Sequence, residues 1–183
     1  VPADIEPADS GDVVLASGPS GSDIGYPFAL LNHSRRLLLV APGVDTARVA
    51  AMEASVITGK GQVLILCPTK KIAGNVAAQF ESGAARLDVK PKADDLSTTR
   101  AFAEGKLAVG IGTRAAVLWP AANLAAIIVV DEDHPGHVEA AMPNTNVVDV
   151  AAERATVRDC DLVVLGRVAS AAALATGSKV GVV

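Results

Sequence analysis

Residues 127–134 read IIVVDEDH, in which four β-branched apolar residues run directly into Asp131, Glu132, Asp133 and His134. A buried strand that ends in carboxylates is one way in which nucleotide hydrolases hold Mg²⁺ and polarise a water molecule. The alternative without a function is that a parallel strand ends in solvated charges, with Asp133 and Pro135 turning the chain. The segment is therefore a candidate nucleotide site, weighed against an ordinary turn.

The same segment also offers metal-binding chemistry. The side chains that zinc would accept as ligands are Asp131, Asp133, His134 and His137. Pro135 and Gly136 exclude the helical spacing that usually presents a His-x-x-His pair to a metal. No structural metal is therefore expected.

Four other turns carry polar residues after an apolar run. They are APGVDT (41–46), PTKK (68–71), GTR (112–114) and GRVAS (166–170). In parallel α/β sheets, ligands bind at the carboxyl ends of the strands. We therefore expect these turns and DEDH to line one edge of a sheet.

The elements that position these turns can be predicted from hydrophobic patterning. Continuous apolar runs such as LLLV, VLIL, AIIVV and LVVL are typical of strands buried on both faces by helices. The predicted strands are 36–40, 62–67, 86–89, 107–111, 125–130, 162–165 and 179–183. The predicted helices are 46–58, 69–82, 94–104, 147–158 and 168–176. Their alternation predicts a three-layer α/β fold, with a mostly parallel sheet and helices on both faces.

Composition narrows the function classes. The 183 residues carry a net charge of −4, which argues against a globally basic nucleic-acid binder and leaves only a local patch. Residues 1–25, rich in Pro, Gly, Ser and Asp, are expected to form a flexible arm or linker before one domain at 26–183. No apolar run is long enough for a membrane span, and Cys67 and Cys160 are expected to be buried, reduced thiols of a cytoplasmic protein.

The order of the turns resembles the first motor domain of superfamily-2 helicases, in particular the PriA (primosomal protein N′) family of replication-restart helicases. The matching stretch at 109–134 is VGIGTRAAVLWPAANLAAIIVVDEDH, where the family has I-G-T-R-S-A-x-F-x-P-x-x-N-L-x-L-I-I-V-D-E-E-H. Weaker agreement continues through NVVDVAAERATVRDCDLVVLG at 146–166. The resemblance implies a RecA-like, P-loop NTPase-like helicase domain 1 from about Pro27 to the end.

The resemblance also implies roles for individual residues of a nucleotide site. Glu132 corresponds to the catalytic residue that polarises the attacking water, and Asp131 to the residue that holds magnesium when a nucleotide binds. Gly43 and Thr46 fall in the position of the phosphate loop. His134 corresponds to a residue that contacts the next motif, so it is expected to couple the nucleotide site to DNA.

Departures from the family pattern fall in the phosphate loop and in the turn at 166–170. The family's G-x-T-G-S-G-K-T is replaced by APGVDTAR at 41–48, so the phosphate-binding lysine is missing. Pro42 removes a backbone donor, and Asp45 puts a negative charge where phosphates should lie. In the coupling turn, the family's G-S-A-T-P-S is replaced by GRVAS, which contains Arg167. The altered motifs resemble those of the actinobacterial branch of the family, whose members are thought to lack helicase activity. Binding of ATP and Mg²⁺ is therefore expected to be weak or absent.

Two further turns are expected to contact DNA. In the family, the turns corresponding to PTKK and GTR bind the phosphates of one strand through a hydroxyl, backbone amides and a helix N-terminus. The matching residues are Thr69, Lys70, Thr113 and Arg114, with Lys71 beside them. The alternative is that each threonine caps a helix and the basic residues are solvated.

The resemblance implies a degenerate helicase domain in DNA replication restart, acting as a DNA-contacting or scaffolding module with weak or no ATP hydrolysis. Its expected partners are single-stranded or forked DNA, other replication-restart proteins and a second motor domain. Two alternatives remain open. The first is the ATP-dependent DNA helicase domain of a longer protein, and the second is a small-molecule or protein-binding α/β domain without a nucleic-acid role.

Overall fold

The computed structural model describes residues 35–80, 84–86, 96–139, 145–176 and 178–183. Within these ranges the strands are β1 (Arg35–Leu39), β2 (Gln62–Leu66), β3 (Ala84–Arg86), β4 (Val109–Gly112), β5 (Leu124–Val129), β6 (Asp161–Gly166) and β7 (Lys179–Val182). The α-helices are α1 (Thr46–Ile57), α2 (Lys70–Ala77), α3 (Leu96–Ala103), α4 (Val147–Arg158) and α5 (Ala171–Ala175). Short 3-10 helices span Arg114–Leu118 and Pro135–His137. The predicted arm at 1–25 lies outside the described residues.

The described strands form one seven-stranded sheet in the order β3-β4-β2-β5-β6-β1-β7. Every pair of neighbours in it is parallel. The predicted α/β fold with a parallel sheet is therefore confirmed. Because all strands run the same way, the turns that follow them emerge at a single edge of the sheet, the carboxyl edge.

Helices cover both faces of the sheet, and each face has its own core. On one face, α1 and α2 pack through residues such as Val49 and Val76 onto Ile65 and Ile128. On the other face, α3, α4 and the 3-10 helix at 114–118 pack onto the remaining strand side chains. Phe102 is the largest fully buried side chain of that second core. Small aliphatic residues fill the rest, as the 3% aromatic content requires.

Most predicted boundaries agree with the structure, and the differences have local causes. Strand β3 starts at Ala84, so it overlaps the predicted strand 86–89 only at Arg86, while residues 87–89 lie outside the described ranges. Helix α5 begins later than the predicted 168–176, because Ser170 accepts a hydrogen bond from the backbone N–H of Ala173 and caps it. Cys67 and Cys160 are buried and are not joined in a disulfide, as predicted.

A buried ion pair joins the sheet to α1. The guanidinium of Arg36 on β1 lies 2.9 Å from a carboxylate oxygen of Glu53, and both side chains are less than a tenth exposed. Burial raises the pKa of the Glu53 carboxyl, although the charge of Arg36 acts in the opposite direction. In the described part of the chain, no helix is long and apolar enough to cross a membrane.

Candidate functional site at the carboxyl edge of the sheet

The five polar turns meet at the carboxyl edge, as the sequence predicts. APGVDT follows β1, GRVAS follows β6 and DEDH follows β5, and these three strands are consecutive neighbours in the sheet. PTKK follows β2 and GTR follows β4. Strand β2 lies between β4 and β5 in the sheet. The turns predicted to form a nucleotide site therefore lie on β5, β6 and β1, and the turns predicted to contact DNA lie on β4 and β2.

Several backbone donors of the loop after β1 are used within the protein. The amide of Ala41 donates to Val183 O at 2.8 Å, and the amide of Val44 donates to Ala41 O at 3.1 Å. Asp45 is the N-cap of α1, where its carboxylate accepts from the amide of Ala47 at 3.0 Å. Gly43 has a φ of +90°, a conformation that favours glycine. Pro42 has no N–H and so cannot donate to a phosphate.

Arg167 lies against this same loop. Its guanidinium donates to Ala41 O at 2.9 Å through Nη1 and to Val44 O at 3.2 Å through Nη2. The loop therefore presents carbonyl oxygens, and a cation is bound to them. This polarity is the reverse of a phosphate-binding loop, in which backbone N–H groups point at an anion. Thr46, the other predicted nucleotide ligand, is only 7% exposed.

Glu132 is engaged through both of its carboxylate oxygens. The amide of Ser170 donates to Oε1 at 2.8 Å, and the Ser170 hydroxyl donates to Oε2 at 2.6 Å. The side chain is only 3% exposed. A Cβ added to Gly166 would lie 3.0 Å from Glu132 Cγ, so the turn after β6 packs tightly on this residue. A carboxylate held in this way has little freedom to polarise a water molecule.

Asp131 has an unusual backbone conformation. Its φ is +50°, in the left-handed region that Asp and Asn tolerate better than most residues. Its carbonyl accepts from the amide of His134 at 3.0 Å, which closes the turn. The ring of His134 accepts locally through Nδ1 from the amide of Gly136 at 2.9 Å. Both predicted residues thus help to shape the turn after β5.

His137 is fully buried beneath this turn. Its Nε2 lies 2.8 Å from Val130 O, while its Nδ1 is buried without a hydrogen-bond partner. Burial lowers the pKa of His137, so the neutral ring is favoured. Among the described residues, no three His, Cys, Asp or Glu side chains converge in a metal-binding arrangement.

The turn after β5 also packs on the turn after β2. A Cβ added to Gly136 would lie 2.4 Å from Pro68 O, so only glycine fits there without movement. In the PTKK turn, Thr69 caps α2 by accepting from the amide of Ile72 at 3.2 Å. Lys70, the next residue, is exposed. Thr69 therefore caps α2, which is compatible with phosphate contact at the same helix N-terminus, and the charge of Lys70 remains in solvent.

The GTR turn differs from expectation. Thr113 precedes the 3-10 helix at 114–118 without capping it through its side chain. Arg114 does not project freely into solvent, because its guanidinium pairs with Glu139 at 2.7 Å. It also donates to Val138 O at 3.4 Å. The expectation of a solvated Arg114 is therefore wrong in part, since this side chain is 44% exposed but is held by the segment after β5.

No protein-family model and no curated protein match the sequence. Among solved structures, the chain is similar to S. cerevisiae Dbp5 L327V in a complex with Nup159, Gle1 H337R, IP6 and ADP, with a TM-score of 0.56. The two sequences are 11% identical, and the similarity covers 86% of this chain and 46% of that chain. It is also similar to T4 UvsW, with 16% identity, 85% of this chain and 32% of that chain covered, and a TM-score of 0.54.

Both similarities agree with the parallel α/β fold described above. At these identities the similarity establishes the fold alone. The chain spans less than half of either protein.

Proposed function

We propose that this chain is a degenerate, PriA-like motor domain that serves DNA replication restart as a DNA-contacting or scaffolding module, with weak or no ATP hydrolysis. The observation that carries the proposal is the pair of hydrogen bonds from the Arg167 guanidinium to the carbonyl oxygens of Ala41 and Val44. Two carbonyl oxygens of this loop point at Arg167, so the backbone does not form the cradle of N–H groups that binds the phosphates of a nucleotide.

The chemistry of hydrolysis is also impaired. Phosphoryl transfer depends on positioned donors, a metal ion and a residue that orients water. The loop after β1 contains no lysine, and Asp45 is a helix cap whose negative charge would repel phosphates. Glu132 is held by two hydrogen bonds from Ser170. If ATP and Mg²⁺ bound at all, Asp131 would be the nearest equivalent of a metal ligand, and the affinity would be low.

A role in DNA contact is supported by the turns after β2 and β4. Lys70 and Lys71 are exposed at the N-terminus of α2, where the helix dipole also favours phosphate. Arg114 lies on the neighbouring turn, but Glu139 offsets part of its charge. Two or three phosphate contacts give a salt slope of only about −1.5 to −2 for single strands. Binding is therefore expected at low salt and is nearly lost at physiological salt.

At physiological salt, further partners would have to increase the affinity of this domain for DNA. A second motor domain or another replication-restart protein that holds DNA beside this edge would raise the effective concentration of the strand. In this arrangement the chain positions DNA, and any strand separation is driven elsewhere.

The DNA proposal is tested by fluorescence anisotropy with a labelled single strand at low salt. The double variant Lys70→Ala/Lys71→Ala is expected to bind at least about fivefold more weakly, because two phosphate contacts are removed. The matched control is Lys60→Ala/Lys106→Ala, since both lysines are exposed and lie beside the opposite edge of the sheet. Equal binding by the two double variants would contradict a DNA-contact role for the PTKK turn.

A further inference from the structure

We infer that the turn at 166–170, called here the clamp turn, fixes the vacated nucleotide site in one conformation by binding the loop after β1 with one side chain and the turn after β5 with another. The inference rests on the proposed function, because it assigns a replacement for the nucleotide that would otherwise bridge these two segments. The clamp turn would then act as a constitutive lock in place of a nucleotide-responsive element.

The first arm of the clamp is Arg167. Its two hydrogen bonds reach Ala41 O and Val44 O, on opposite sides of Pro42 and Gly43. A planar guanidinium can bridge two carbonyls in a fixed geometry, which an ammonium group cannot reproduce. Arg167 therefore fixes the tip of the loop relative to β6.

The second arm is Ser170, three residues further along. It donates through its amide and its hydroxyl to the two oxygens of Glu132, and the same hydroxyl accepts from the amide of Ala173. The position of Glu132 is thereby linked to the start of α5. Losing this hydroxyl would remove one of the two hydrogen bonds to a buried carboxylate and would also uncap a helix.

The base of the clamp turn has little room to move. Gly166 O accepts from the amide of Val40 at 2.8 Å, and any Cβ at Gly166 would meet Glu132 Cγ and Val168 O at 3.0 and 3.2 Å. Motor domains respond to nucleotide through loops that switch between two arrangements. With both arms and the base bonded, the loops after β1, β5 and β6 form one fixed unit.

Hydrogen exchange of the whole chain tests this inference. Arg167→Ala is expected to speed amide exchange in the segment 41–46 by about tenfold, because loop opening no longer breaks the two bonds to the guanidinium. Arg167→Lys should restore only part of the protection. Ser170→Ala should speed exchange at 131–134 and 171–175 to a similar extent.

The matched control is Val168→Ala, which changes the same turn at a side chain that is 68% exposed. It should leave exchange at 41–46 within about twofold of the parent. If Arg167→Ala and Val168→Ala exchange alike at 41–46, the clamp is overturned. Isothermal titration of the parent with ATP–Mg²⁺ separates the two proposals: saturable binding would contradict the proposed function, whereas the exchange data alone decide the clamp.

Discussion

The imidazole of His137 ties the turn after β5 back to the end of its own strand, with Nε2 lying 2.8 Å from the carbonyl oxygen of Val130. The ring is fully buried, and its second nitrogen has no hydrogen-bond partner. A proton added to this ring would place a charge in the interior, close to the segment that carries Asp131 and Glu132.

This burial predicts a pH-dependent stability. The pKa of His137 is lowered in the folded state, so below about pH 6.5 the unfolded chain binds the proton first. The free energy of unfolding should therefore fall as pH drops from about 6.5 towards the folded pKa. Urea titrations across this range should show a shallower slope for His137→Gln than for the parent. Parallel curves for His137→Gln and the parent would refute the assignment.

The left-handed backbone of Asp131 predicts an unusual substitution pattern. Asp131→Asn should change the free energy of unfolding by less than about 0.5 kcal/mol, because asparagine also tolerates a φ of +50°. Asp131→Ala should cost about 1 kcal/mol, since its Cβ gains no local hydrogen bond in this conformation. Urea unfolding measures both. A loss above about 2 kcal/mol for the asparagine variant would indicate that the charge has a structural partner.

Asp45→Lys places a lysine in the loop that corresponds to the family's phosphate loop, where this chain has none. The variant should still show no ATPase activity. The amides of Ala41 and Val44 still donate within the protein, and Arg167 still lies against the carbonyls of the same two residues. The change should also cost about 1 kcal/mol, because α1 loses its cap. Asp45→Asn keeps a capping oxygen and serves as the stability control. DNA-stimulated phosphate release by Asp45→Lys would show that the missing lysine was the obstacle, and it would contradict this expectation.

The buried pair of Arg36 and Glu53 predicts strong non-additivity. Arg36→Met alone should lower the free energy of unfolding by about 3 kcal/mol, because the Glu53 carboxylate is left buried without its cation. Adding Glu53→Leu should recover most of that loss, since two apolar residues of similar size can replace a buried ion pair. Urea unfolding of both single variants and the double variant gives the coupling energy. Simple additivity would mean that the two charges do not depend on each other.

The sheet and its edge could be predicted because their signals are local. Runs such as LLLV and AIIVV allow few structures other than buried parallel strands, and each is followed by a polar turn. The meeting of DEDH, PTKK and GTR at one edge then follows from strand direction. Strand β3 was less predictable, because Ala84–Arg86 is short and carries little apolar pattern.

The contacts inside the site could not be predicted in the same way. Arg167 binds carbonyl oxygens of the main chain more than 120 residues earlier in the sequence, and residue types do not encode such acceptors. The Ser170–Glu132 contact had a partial signal, since a serine before AAALA is a typical helix cap. Its second role requires the spatial adjacency of β5 and β6. The Arg114–Glu139 pair likewise depends on how the segment after β5 folds back towards β4.

The most direct test of the central claim is isothermal titration of ATP–Mg²⁺ into the parent protein, with Asp131→Asn titrated in parallel. The loop after β1 binds the Arg167 guanidinium through its carbonyls, and the neighbouring Glu132 carboxylate is held by Ser170. We therefore expect no saturable heat in either titration up to millimolar nucleotide. Saturable binding by the parent in the low micromolar range, weakened in Asp131→Asn, would show a working nucleotide site and contradict the account.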